Sequence, residues 1–103
     1  LVKLYQKNDE LYGKIMKVYW KDGDSHQCVH CKGNLYNQPI EGMRFVWGLK
    51  QHSKLIWEKG SILDPHNGKI YQVRVKKNHD KLLVRAYLGA PILGRTQIWH
   101  RVS

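Results

Sequence analysis

The chain has 103 residues, 42% of them hydrophobic, with 18 Lys and Arg against 8 Asp and Glu for a formal net charge of +10. A mean hydropathy of -0.59 and the lack of any nearly uncharged apolar run of about 20 residues exclude a helical membrane protein and point to one soluble domain, 1–103. Residues Lys69 to Ser103 carry eight basic groups against Asp80 alone, +7 of the total, a field that attracts polyanions such as nucleic acid, lipopolysaccharide or anionic lipid without choosing among them.

The chain opens Leu1-Val2-Lys3, without a Met or a signal peptide and already strand-like, so we expect the original N-terminus to have been cleaved, trimmed or lost. Apolar and polar positions then alternate in short runs separated by turn residues, which predicts an all-β antiparallel domain. Leu1 to Lys7, closed by Asn8-Asp9-Glu10, and Leu11 to Trp20, closed by Lys21-Asp22-Gly23-Asp24, pair as a hairpin. Ser25 to Pro39 is polar and too long for a simple connection, and so suggests a functional or disulfide-tied loop. Met43, Phe45, Trp47 and Leu49 alternate, which buries one face of their strand. Leu55 to Trp57 and Ser61 to Leu63 are weaker fragments around Lys59-Gly60, and Asp64-Pro65-His66-Asn67-Gly68 is the strongest turn.

Three further strands follow, Lys69 to Lys76, Lys81 to Leu88 and Arg95 to Val102, joined through Lys77 to Asp80 and Gly89 to Gly94. About seven or eight short strands suggest a meander that curls into a barrel or sandwich. Phe45, Trp47, Val73, Val75, Val84 and Ile98 sit on apolar alternation faces and are the expected core.

Catalytic and metal chemistry is sparse. Cys28-Val29-His30-Cys31, with His26 nearby, offers half of a structural zinc site, but the other half is missing at the expected distance, so no metal is expected. The pair does not open a predicted helix that would depress a thiol pKa, which argues against a catalytic redox motif. Ser25, Ser53 and Ser61 lie in no Gly-x-Ser-x-Gly context, Asp64 reads as a turn carboxylate, and Glu10, Glu41 and Glu58 show no paired acid-base spacing. Phosphate-loop, dinucleotide and calcium-loop patterns are lacking as well, so neither catalytic residues nor a cofactor are expected and an enzyme is the minority reading.

The last strands are more informative. Alternation places Arg85 and Tyr87 on one face of their strand and Arg95, Gln97, Trp99 and Arg101 on one face of the next, so these six form a patch of cations, an amide and rings if the strands pair with those faces together. Turned outward, the patch is a stacking platform of the kind used for single-stranded nucleic acid. Turned inward, it lines a barrel mouth suited to an amphipathic anion. In a purely structural alternative, Trp99 and Tyr87 fill core while the arginines extend to solvent.

Asp64-Pro65 with Gly68-Lys69-Ile70-Tyr71, and Gly94-Arg95-Thr96-Gln97-Ile98-Trp99-His100-Arg101, resemble the motifs of the bacterial domain of unknown function 2147 family. Leu11-Tyr12-Gly13-Lys14-Ile15, Cys28 with Cys31, Gln38 to Met43 and Trp47-Gly48-Leu49-Lys50 follow in that family's order, so the resemblance spans essentially the whole chain. It implies a lipocalin- or calycin-like β-barrel in a periplasmic or secreted protein. Members usually begin with a Gly-x-Trp segment whose Trp would pack under Arg101. This chain lacks that segment, so the barrel is expected without its first strand. In an oxidising compartment Cys28 and Cys31 are expected to form a disulfide. Export also disfavours nucleic acid. The expected function is binding of a small hydrophobic or amphipathic ligand such as a lipid or fatty acid. The alternative is an envelope module whose basic face binds anionic polymers or a protein partner.

Overall fold

The computed structural model describes residues 1–89 and 94–101. Seven strands form one antiparallel sheet in which spatial order equals chain order: β1 (Val2–Lys7), β2 (Glu10–Ile15), β3 (Arg44–Ser53), β4 (Ile56–Asp64), β5 (Lys69–Asn78), β6 (Lys81–Tyr87) and β7 (Arg95–His100). The sheet curls into a half-barrel, with β1 and β7 as its two edges among the described residues. Residues 90–93 and 102–103, which include Val102 and most of the connection expected from Gly89 to Gly94, lie outside the described residues.

Turn chemistry sets the meander. Asn8 and Asp9 both adopt positive φ (51° and 64°), the two-residue geometry that matches the twist of a tight hairpin between β1 and β2. His79 (φ 58°) opens the equally short β5–β6 turn. At the β4–β5 turn the Asp64 carboxylate accepts the His66 N–H at 2.9 Å, the Asn67 side chain accepts the Lys69 N–H at 2.8 Å, and Gly68 takes φ +73°. The two weak fragments around Lys59 are one strand. Trp57 pairs with Val75 and Gly60 with Val73, so Glu58 and Lys59 face Arg74 alone, and Lys59 (φ 62°) absorbs the bulge.

The run expected from Leu11 to Trp20 leaves the sheet after Ile15. Beyond it the Trp20 ring stacks on His26 at 4.0 Å and the Val18 N–H donates to Glu41, which ties this segment to the long loop instead of to a strand. That loop holds one 3-10 turn, Gly33–Leu35, and the disulfide between Cys28 and Cys31.

One core cluster holds the sheet: Ile15, Phe45, Val46, Leu49, Leu63, Val73, Val75 and Val84 are buried together with Met43 and both cysteines. Strand β3 departs from simple alternation. Gly13 pairs with Val46 but Lys14 with Arg44, so Phe45 is an extra residue and both Phe45 and Val46 are buried. Trp47 pairs with Ser61, which pairs with Gln72, whereas Leu49 packs against Gly60, the partner of Val73. Gly48 between them (φ +74°) makes that change of face, and it leaves Trp47 half-buried, not in the core expected for it.

Ile98 is a second correction. It is 53% exposed, because β7 meets β6 with Leu82 opposite Trp99 and Leu83 opposite Ile98. The large apolar side chain on the core side of β7 is therefore Trp99.

Candidate functional site

Strand pairing gathers the site from distant segments. Tyr71, Val73 and Val75 of β5 share a face with Ala86 and Val84 of β6, and these in turn with Arg95 and Gln97 of β7. On this face a cavity of about 860 Å³ opens at the end of the half-barrel that carries the β4–β5 turn. Its walls are Ile15, Phe45, Ile62, Leu63, Val84 and Trp99, and its polar rim is Asp64, Asn67, Tyr71, Arg95 and Gln97. Both the size and the apolar wall with a few polar groups are those of a small-molecule site.

Most of the polar groups are already engaged. The Trp99 indole N–H donates to Gln97 at 3.2 Å, and its ring stacks on Phe45 with centroids 6.0 Å apart. The Asn67 amide donates to the Tyr71 hydroxyl at 3.2 Å, and one Asp64 oxygen is taken by the His66 N–H. Arg95 is exposed and has no ion pair among the described residues. A cation facing an apolar wall, with its charge unspent, is what an anionic headgroup needs.

The turn at the rim is held from behind. Pro65 O lies 3.7 Å from Cys28 Sγ, and the His30 carbonyl sits so close to Gly68 that a Cβ there would overlap it. The Cys28–Cys31 loop thus packs on the turn that supplies Asp64, Pro65 and Asn67 to the cavity. No group of three or more His, Cys, Asp or Glu able to hold a metal ion occurs among the described residues.

The six residues expected to form one patch are divided. Arg95, Gln97, Trp99 and Tyr87 line the cavity. Arg85 pairs with Thr96 on the opposite face and donates to its hydroxyl at 2.6 Å. Arg101 lines a separate cavity of about 450 Å³ at the other end, with Leu4, Leu11, Trp57 and Leu82, and its N–H donates to the Asp80 carbonyl. Ile15, Phe45, Ile62, Leu63, Asn67 and Tyr71 are lining residues that the patch expectation did not include. Their apolar alternation was visible, but only the pairing of β2 through β5 brings them to one wall.

A family model described as "Uncharacterized protein conserved in bacteria (DUF2147)" matches residues 1–101. The chain belongs to this family. Among solved structures, the protein HP1028 from the human pathogen Helicobacter pylori, described as belonging to the lipocalin family, is similar with a TM-score of 0.85 and 26% sequence identity, over 99% of this chain and 71% of that one. No curated protein matches the sequence. The lipocalin-like fold agrees with the barrel expected from the family motifs, here as an open half-barrel. Among the described residues no helix is long and apolar enough to cross a membrane.

Proposed function

We propose that this family member is a non-enzymatic binding protein of the bacterial periplasm or secreted fraction, whose cavity takes one small amphipathic anion such as a fatty acid or other lipid. The supporting observation is the juxtaposition of an apolar cavity of about 860 Å³ with Arg95, a rim cation that forms no ion pair with a carboxylate among the described residues. The tail packs on Phe45, Ile62, Val84 and Trp99, and the headgroup meets Arg95 with Gln97 and Asn67 beside it. The lipocalin-like fold supports a ligand-binding role, and the disulfide fits an oxidising compartment.

An environment-sensitive fatty-acid probe tests this. It should saturate near one site per chain and quench the fluorescence of Trp99. Titration without saturation overturns the proposal.

A further inference from the structure

The face of β5–β7 turned away from the cavity has its own chemistry. The registers place Lys76, Leu83 and Ile98 in one row across the three strands, Arg74, Arg85 and Thr96 in the next, and Asn78, Lys81 and His100 in the row on the other side. Two apolar side chains are therefore bracketed by four permanent cations: Arg74, Lys76, Lys81 and Arg85. Ile98, on the edge strand of this array, is 53% exposed, and Ile70 of the same sheet is 51% exposed. Glu58 reaches the patch, 3.9 Å from Arg74, and is shared with His52. The hydrogen bond from Arg85 to the Thr96 hydroxyl holds that guanidinium on this face.

An isolated exposed isoleucine needs no explanation, but one flanked by the cations of the neighbouring strands, on a chain carrying +10, has a complementary surface. We propose that this face docks on an anionic lipid bilayer, with the cations at the headgroups and Ile98 and Leu83 at the boundary with the acyl chains. Each basic side chain near such a surface gains from its negative potential, and apolar residues among them distinguish a bilayer from a purely charged polymer. The docking face shares no residue with the cavity wall, so it stands whether or not the cavity takes a fatty acid.

The test is co-sedimentation of the intact chain with phosphatidylcholine vesicles and with vesicles in which about a third of the lipid is phosphatidylglycerol. Partitioning should favour the anionic vesicles by about tenfold or more and fall steeply with salt. The double variant Lys76→Glu with Lys81→Glu should abolish that preference. Ile98→Ser should weaken vesicle binding several-fold while leaving retention on heparin unchanged. All three side chains are exposed, so thermal unfolding should match that of the parent chain and remove misfolding as an explanation. Equal partitioning to both vesicle types overturns the proposal. So does an Ile98→Ser variant that binds anionic vesicles like the parent, since that outcome assigns the face to anionic polymers.

Discussion

Gly68→Ala separates backbone strain from packing at the rim of the cavity. Gly68 has φ +73°, and an added Cβ would overlap the carbonyl carbon and oxygen of His30. The left-handed backbone alone costs an alanine about 1–2 kcal/mol. Because the overlap is with main chain and not with a side chain that could change rotamer, the Cys28–Cys31 loop or the turn must move, at a further cost of about 1–3 kcal/mol. Gly23 supplies the control, with φ +88° and nothing within 4 Å of a built Cβ, so Gly23→Ala should lose only the backbone part. Urea unfolding followed by Trp fluorescence should therefore show Gly68→Ala losing about 2–5 kcal/mol, a large share of a typical domain's stability of about 5–15 kcal/mol. Affinity for the fatty-acid probe should fall with Gly68→Ala and not with Gly23→Ala, because the displaced turn carries Asp64, Pro65 and Asn67. Equal losses of stability in the two variants would refute the packing of loop on turn.

Trp47→Ala should cost about 1–3 kcal/mol and Phe45→Ala about 3–5 kcal/mol in the same assay, since Phe45 is buried and Trp47 only half-buried; equal costs would return Trp47 to the core. The Tyr12 phenol is held above its usual pKa by its hydrogen bond to Glu10, then by desolvation and the nearby carboxylate charge. Its contribution to stability is therefore present below the ordinary tyrosine value and lost as pH rises through the raised one. An NMR titration of the Tyr12 ring should show Glu10→Gln lowering the midpoint, and an unmoved midpoint would contradict this cause. Thiol titration of protein recovered from an oxidising compartment should find Cys28 and Cys31 unreactive until a reductant is added; two reactive thiols at the outset would refute the pairing.

Strand existence and turn position were legible in the sequence because each follows from local chemistry. Alternation marked β5, β6 and β7, and the Asp-Pro-His-Asn-Gly turn falls where its residues put it. Three features were not legible, all for one physical reason: which face a residue occupies depends on its partner strand as well as on its own period. In β3, the extra residue at Phe45 and the positive φ at Gly48 each interrupt a period of two, so Trp47 and Leu49 part company. On β7, Ile98 and Trp99 offer apolar side chains to both faces, and the pairing of Leu82 with Trp99 decides between them. The same register opposes Arg85 to Thr96 and not to Arg95, which splits the expected patch between the two sides of the sheet. Outside β7, the cavity walls come from strands far apart in the chain, and no local pattern announces that they meet.

The most direct measurement of the binding claim compares dodecanoate with dodecanol on the intact chain and on Arg95→Ala. Both ligands present the same tail to Phe45, Val84 and Trp99, and only the carboxylate can accept charge-assisted hydrogen bonds from the guanidinium. Loss of such a contact at an exposed rim should weaken dodecanoate about tenfold and leave dodecanol within about twofold. Equal weakening of the two ligands, or saturation by neither, would contradict a cavity that selects an amphipathic anion through Arg95.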